Sequence, residues 1–367
     1  MRILLICGIV FVHVPRDPAA DMVIAETGWF NWLSVFLGDS LFRIGVPCLS
    51  MISGYLLLRK GVASFDYGKV VRSKAMTVLV PFLIWNLALF SAILGLQRVG
   101  IGVGYFPDIT ASFREMLTYA FALEGLPANV PLYFLRDLFV CILLSPVLLF
   151  LLRRAAIPTL AVLFVLAVIP DLSFVVVVKR SILFSFALGM FLGMRGADLK
   201  ALDSFAWPGS IATLFAALAL SLAIYLSLPA YPWSVDLARN VLSIVGALGV
   251  WMVTAIAIET RFGKRLAATG SLSFWVFCAH YPLLVMLWMV WNRVGTPEAY
   301  PIFYFGSVVV SLVILVISNA VIMRIAPPVY QLLTGSRGRK EKLAKATSSR
   351  PVGSQHPMEP KLSQQRR

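Results

Sequence analysis

Long apolar runs separated by short polar loops constrain the fold of this chain more than any other feature. Ten runs are predicted as membrane-crossing helices, for which about 20 apolar residues are typical, and several of the runs are shorter than this. Their approximate bounds are 3–14, 40–58, 76–96, 131–152, 157–177, 181–194, 208–228, 240–258, 272–292 and 303–326. The sequence therefore predicts an all-α fold, a polytopic integral membrane bundle of about ten transmembrane helices.

Composition supports lipid as the surrounding medium. Of the 367 residues, 59% are hydrophobic and 13% are charged, whereas a soluble domain has about 45–50% apolar and about 25% charged residues. The net charge of +15 does not indicate nucleic acid, because the basic residues form short clusters between the runs and a tail. The four cysteines lie in apolar runs without CxxC spacing, which favours packing over disulfides or a metal site.

Lysine and arginine predict the sidedness of the bundle. With the N-terminus inside, most basic loop residues lie on the cytoplasmic side, and an even number of helices returns the C-terminus there. These residues are Arg59, Lys60, Lys69, Arg72, Lys74, Arg153, Arg154, Arg195, Lys200, Arg261, Lys264 and Arg265. We expect a transmembrane domain at 1–333 and a disordered, basic cytoplasmic tail at 334–367.

The first apolar run starts almost at the initiator. It has no small-x-small cleavage site, because His13, Val14 and Pro15 end the run, so a signal peptide is disfavoured. The run is also short for a membrane span. We expect the true first helix to begin a few residues upstream.

Arg2 and His13 form the most informative pair of polar residues. They are eleven residues apart, which in a helix is three turns plus about 20°, on one face, with an axial separation of about 16 Å. An arginine suits an anionic, phosphate-bearing ligand, and a histidine suits proton transfer or covalent relay. Ionisable groups in apolar helices are functional hypotheses by default, and this applies to His280 as well.

Other candidate residues lie at the ends or in the middle of the runs. The basic residues Lys69, Arg72 and Lys74 precede the third run and add positive charge at the cytoplasmic mouth, although topology alone would also explain them. The small and kinking residues from Gly45 to Tyr55 permit close helix packing or a local opening. Arg136 and Asp137 are adjacent, so we expect each to have a different partner.

Several motifs in order resemble the acyltransferase type 3 family of integral membrane acyltransferases, which includes bacterial sugar O-acetylases. The first is Arg2-x10-His13, and the others are GVP at 45–47 with ISGYLL at 52–57, the basic run ending in PFLIW at 81–85, PLYFLR at 131–136, FSFALG at 184–189, and GSLSF at 270–274 with HYPL at 280–283. The resemblance covers residues 2 to about 326. It departs from the family at Lys69-x-x-Arg72, where the family often has two arginines, which loses one bidentate fork. The family's usual N-terminal extension is also missing.

The resemblance implies transfer of an acyl group, commonly acetyl, from cytoplasmic acetyl-CoA or another acyl-CoA to a hydroxyl of an extracytoplasmic or lipid-linked glycan. It implies that His13 and Arg2 are catalytic, and that Lys69, Arg72 and Lys74 hold the phosphates of the donor. His13 would act as a general base or carry the acyl group as an acyl-imidazole, and these alternatives stay open. The residues implied to line the site are Ser53, Arg136, Ser273 and His280.

The expected location is a bacterial inner membrane, with lipid, acyl-CoA and a glycan or glycolipid as partners and no metal. A proton-coupled or anion-selective transporter is the alternative function, in which His13 and His280 would move protons. Carboxylates well inside the predicted spans are nearly absent, since Asp39 and Asp137 lie near helix ends. This weighs against a proton pump. A non-enzymatic scaffold would leave the Arg2/His13 pair unexplained.

Overall fold

The computed structural model describes residues 2–15, 28–106, 112–123, 125–170, 178–228, 230–267 and 270–336. Over these ranges the chain is helical, with one isolated bridge between Val103 and Phe106. The helices are α1 (Arg2–Val12), α2 (Trp29–Val35), α3 (Gly45–Leu58), α4 (Tyr67–Lys74), α5 (Val80–Arg98), α6 (Phe113–Phe121), α7 (Tyr133–Leu143), α8 (Ser145–Arg154), α9 (Ala156–Val168), α10 (Arg180–Met194), α11 (Ala206–Ser227), α12 (Trp233–Glu259), α13 (Arg261–Ala267), α14 (Gly270–Val294), α15 (Tyr300–Ile325) and α16 (Pro327–Thr334). The predicted all-α membrane class is confirmed.

Six helical stretches in the described part of the chain are long and apolar enough to cross a membrane. They are Trp29–Leu58, Tyr67–Arg98, Leu199–Ser227, Trp233–Glu259, Leu272–Val294 and Pro297–Ile325. A seventh span results if α7 and α8, which meet at 57°, cross as one. The predicted runs at 3–14, 157–177 and 181–194 correspond to the shorter helices α1, α9 and α10, and residues 171–177 lie outside the described residues. Ten spans and the sidedness stay predictions.

The predicted C-terminal tail lies mostly outside the described residues. Thr334, at which we expected the tail to begin, is the last residue of α16. Gly335 and Ser336 follow it in the structure, and residues 337–367 are not among those described.

Turns that depart from α geometry precede Pro47 and Pro81. A π-helix at Phe36–Leu41 and a 3-10 turn at Phe42–Ile44 precede Pro47, and a π-helix at Ala75–Leu79 precedes Pro81. Proline lacks an N–H and clashes with the carbonyl four residues earlier, so the backbone ahead of it departs from α geometry. The second π-helix places Thr77 on the wall of a large cavity.

Helices α3 and α10 pack at backbone distance through glycines. A Cβ atom added to Gly54 would overlap the backbone at Phe186, and one added to Gly189 would overlap the backbone of Met51. Gly193, one turn after Gly189, likewise faces the carbonyl of Tyr55. Small residues at such spacing are typical of close helix packing in membranes, which is one of the two alternatives predicted for the segment from Gly45 to Tyr55.

Candidate active site

A cavity of about 1030 Å³ opens where α1 begins. Its wall is built from α1, α3, the segment around α4, and α7, α10 and α16. The structure brings five of the predicted site residues together on this wall: Arg2, Ser53, Lys69, Arg72 and Lys74. These residues come from three separate stretches of sequence, and the fold gathers them around one space.

On the basic side of this cavity, Asp66 caps α4 and pairs with Lys69. Its carboxylate caps α4 by accepting the Lys69 backbone N–H at 3.0 Å, and it pairs with the Lys69 ammonium at 2.8 Å. The hydrogen bond from Lys69 lowers the pKa of Asp66 below its ordinary value. The Lys69 side chain is 86% exposed, and ion pairs that exposed to water are weak. Asp66 therefore holds the Lys69 ammonium only weakly.

His13 lies at the other end of α1 from Arg2. The predicted helix ran to residue 14, but α1 ends at Val12, and His13 forms the turn that follows. The early end fits Pro15, because a residue before proline is disfavoured in the α region. The fold places His13 beside His280 of α14, with ring centroids 5.3 Å apart and planes at 66°.

Hydrogen bonds fix which nitrogen of each ring carries the lone pair. His13 Nδ1 lies 2.8 Å from the Ile9 carbonyl oxygen, and His280 Nδ1 lies 3.0 Å from that of Val276. A carbonyl only accepts, so each Nδ1 carries the proton and each neutral ring has its lone pair on Nε2. His280 is fully buried, and its Nε2 has no hydrogen-bond partner among the described residues. The pair thus presents two basic Nε2 nitrogens, one on the fully buried His280 and one on the half-buried His13.

A pair of asparagines that the sequence analysis did not single out supports the helix of His280. Pro282 has no N–H, so the Cys278 carbonyl four residues earlier lacks its usual helical partner. Asn129 Nδ2 donates to this carbonyl at 2.9 Å, and the Asn129 N–H donates to Asn86 Oδ1 at 2.8 Å. Asn86 Nδ2 in turn donates to the carbonyls of Tyr119 and Ala120. Both asparagines are fully buried, and the network fixes the backbone two residues before His280.

A sequence signal for part of this network existed. Asn86 is a polar residue in the middle of a predicted span, which by itself marks a structural or functional position. Asn129 lies in a loop between two runs, where asparagine is common, so its role depends on the contact with α14.

Besides His13 and His280, two predicted site residues, Arg136 and Ser273, are not on the cavity wall. Arg136 pairs with Asp137 at 2.8 Å, which contradicts our expectation that these neighbours have different partners. The long arginine side chain folds back to the carboxylate, and it also donates to the Gly125 carbonyl at 2.7 Å. Asp137 Oδ2 accepts the Lys179 N–H at 2.9 Å. Ser273 is buried on α14, two turns before His280.

Comparisons with known proteins extend this picture. The family model of the acyltransferase type 3 family, described as an acyltransferase domain, matches residues 1–319. The chain is similar to the succinoglycan biosynthesis protein ExoH of Rhizobium meliloti (strain 1021), with 48% identity over 345 residues. That similarity covers 94% of this chain and 93% of the relative. No solved structure was found to match the chain.

Proposed function

Because the chain belongs to the acyltransferase type 3 family, we propose that it transfers an acyl group, acetyl in the first instance, from cytoplasmic acetyl-CoA to a hydroxyl of a polysaccharide. The acceptor in this proposal is an extracytoplasmic or lipid-linked glycan, and the location is the plasma membrane. The relative's role in succinoglycan biosynthesis supports a polysaccharide over a small sugar.

The observation that carries this proposal is the placement of Arg2 and His13 at opposite ends of one short helix. Arg2 lies on the wall of the cationic cavity, whereas His13 contacts His280. Eleven residues of helix correspond to about 16 Å, roughly half the hydrocarbon thickness. A donor whose phosphates lie among Arg2, Lys69 and Arg72 would extend its thioester arm into the bundle toward His13.

Different parts of the cavity lining suit the two ends of such a donor. Arg2 and Arg72 present planar forks that match phosphate oxygens, and Lys69 and Lys74 add compact charges. The cavity continues past Ser53 to the apolar side chains Leu138, Ile142 and Phe186. Such a lining suits the uncharged arm of acyl-CoA better than its phosphates.

Two routes are consistent with a lone pair on His13 Nε2. As a general base, Nε2 takes the acceptor hydroxyl proton while that oxygen attacks the thioester carbon, and the departing CoA thiolate takes the proton back. As a nucleophile, Nε2 attacks the thioester carbon and releases CoA thiolate; the acceptor hydroxyl oxygen then attacks the acyl carbon and displaces the neutral imidazole, and the hydroxyl proton passes to the CoA thiolate. In both routes the Ile9 carbonyl stabilises the positive charge that develops on the ring. His280 lines the site and orients the first ring.

Transfer of label from acetyl-CoA to polysaccharide tests the proposal. Membranes containing the full chain are given labelled acetyl-CoA and acceptor, and the wild type is compared with His13→Asn and Arg72→Ala. Asparagine retains a side-chain N–H that can donate to the Ile9 carbonyl but has no basic nitrogen, so we expect a loss of about 10²–10⁴-fold in transfer. For Arg72→Ala we expect a higher KM for acetyl-CoA, whereas Arg153→Ala, an exposed arginine outside the cavity lining, should behave as wild type.

Further measurements separate the two chemical routes and test the competing function, a transporter. Mass spectrometry of the protein after donor addition without acceptor shows an acetyl adduct on His13 if the ring is the nucleophile. Full transfer by His13→Asn would refute the assignment of the site. A wild type that transfers no acyl group from any acyl-CoA, and instead moves a solute across vesicles, would refute the enzyme proposal.

A further inference from the structure

The last described helix forms one wall of the cavity, although it lies beyond the region that the family model matches. The match ends at residue 319, whereas α16 and the two residues after it contribute five lining residues. These are Pro328, Gln331, Leu332, Gly335 and Ser336. The cavity therefore combines the matched domain with an additional segment.

Contacts on the other face of α16 hold this wall in place. The Trp85 indole N–H donates to the Leu333 carbonyl at 3.0 Å, and the Tyr330 hydroxyl donates to Asn319 Oδ1 at 3.0 Å. The Tyr330 ring stacks on Trp275, with centroids 6.0 Å apart and planes at 29°. Tyr330 is 5% exposed, so its face of α16 belongs to the core and the opposite face is presented to the cavity.

Residues at the two ends of α16 determine where this helix begins and ends. Prolines at 327 and 328 begin the helix, and Gly335 ends it with φ of +60°, which is the usual order of these two residue types. A Cβ atom on Gly335 would overlap the backbone of Thr77. The turn after α16 is thus pressed against the π-helix of the cavity wall, and Ser336 is positioned beside it.

The lining residues of the cavity differ in chemistry from one segment to another. Arg2, Lys69 and Arg72 form its cationic side, whereas the lining residues of α16 carry no charge. Pro328 and Leu332 offer apolar surface, and Gln331 offers an amide with a donor and an acceptor side by side. A flat heterocycle with apolar faces and a hydrogen-bonding edge fits such a wall, and glutamine pairs with adenine through two hydrogen bonds.

We propose that α16 binds the adenine base of the acyl-CoA donor, with Gln331 hydrogen-bonding to its edge. This inference rests on the proposed function, because it assigns the nucleotide end of the same donor. The phosphates then lie between the base and the cationic side, and the acyl arm points away from α16. Residues beyond the matched domain thereby contribute to recognition of the donor.

Binding measurements with whole and truncated donor analogues test this proposal. Calorimetry on the full chain in nanodiscs compares CoA with 4′-phosphopantetheine, which has the arm and one phosphate but no adenine. We expect Gln331→Ala to raise the Kd for CoA roughly tenfold, as for the loss of paired hydrogen bonds, and to leave the Kd for 4′-phosphopantetheine unchanged. Val329→Ala, on the same helix but outside the cavity lining, should leave both values unchanged.

The outcomes distinguish failure of this inference from failure of the proposed function. An unchanged Kd for CoA in Gln331→Ala, or a parallel loss for both compounds, would refute adenine recognition while the enzyme proposal stands. If the wild type binds no CoA at all, both proposals fail.

Discussion

Lys69 has a carboxylate partner before any ligand arrives. Asp66 is the one carboxylate among the described residues that line the cavity, and it holds both the backbone and the ammonium of Lys69. Its charge would oppose binding of the phosphates of the proposed donor, while its cap supports the helix that carries Arg72. The two roles can be separated, because asparagine caps helices about as well as aspartate does.

Asp66→Asn should therefore tighten donor binding without loosening α4. The substitution frees the Lys69 ammonium and removes the repulsion between the carboxylate and the donor phosphates. We therefore expect the Kd for CoA to fall roughly twofold to fivefold at low salt. The pKa of Asp66 is lowered by the hydrogen bond from Lys69, so the wild-type carboxylate is ionised throughout pH 5–8. The effect should thus be constant over that range and shrink at high salt. Weaker binding by Asp66→Asn would show that the carboxylate positions Lys69 for the ligand.

The relative position of two residues on one helix could be predicted from the sequence, whereas contacts between distant helices could not. Arg2 and His13 are related by helical periodicity, which sequence reveals directly. His13 and His280 are 267 positions apart, and their contact depends on how α1 packs against α14. The pairing of Arg136 with Asp137 was wrongly excluded, since the rule for neighbouring helix positions neglects how far an arginine can fold back.

At the scale of elements, the proline in α14 explains why a loop asparagine is buried. In lipid, a backbone carbonyl without a partner is costly, so the gap that Pro282 leaves at Cys278 must be filled. Asn129 fills it, and Asn86 holds Asn129 in turn. The proline inside α14, the loop with Asn129 and α5 thus depend on one another.

A double substitution tests this dependence. Asn129→Ala leaves the Cys278 carbonyl unpaired, and we expect a loss of about 1–3 kcal/mol in the free energy of unfolding. Pro282→Ala restores an N–H that can bond to Cys278 within the helix, so in its presence Asn129→Ala should cost much less. Thermal unfolding of the four proteins in one detergent measures this coupling. Equal costs in both backgrounds would show that Asn129 acts through some other contact.

The glycine contact between α3 and α10 provides a prediction with a matched control. Gly189→Ala would press a methyl group into the backbone of Met51, so we expect the helices to separate and stability to fall by about 1–3 kcal/mol. Gly95→Ala lies in α5, where nothing is within 4 Å of the added carbon. Alanine should there stabilise the helix by about 0.5–1 kcal/mol. Similar melting temperatures for the two variants would contradict close packing as the cause.

Helix type could be predicted here because apolar composition in lipid leaves few alternatives, whereas the lengths of the elements were harder to predict. The run at 40–58 continues back to Trp29 as one stretch of 30 residues, and the run at 131–152 is bent at Leu144. Bends and π-helices follow from prolines, but their extent depends on neighbouring helices. The cavity wall on α16 was missed because this segment lies between the last apolar run and the basic tail.

For the whole molecule, sidedness decides whether the proposed donor can reach its cavity. The cationic cavity opens beside Ser64 and α4, next to the basic loop residues Arg59 and Lys60. Positive loops face the cytoplasm, where acyl-CoA would be available. Helix α15 is followed directly by α16 of the cavity wall, so if α15 crosses the membrane, the exposed residue Thr296 before its start lies on the opposite side from the cavity.

Labelling of single cysteines in intact cells tests this orientation. In a background with Cys7→Ser, the remaining native cysteines are buried, so an added cysteine dominates the signal. We expect a membrane-impermeant maleimide to label Thr296→Cys in intact cells, and to label Ser64→Cys only after the cells are lysed. Labelling of Ser64→Cys in intact cells would place the cationic cavity outside the cytoplasm. An acyl-CoA donor could not then enter it, and the positive-inside argument and the proposed function would fail together.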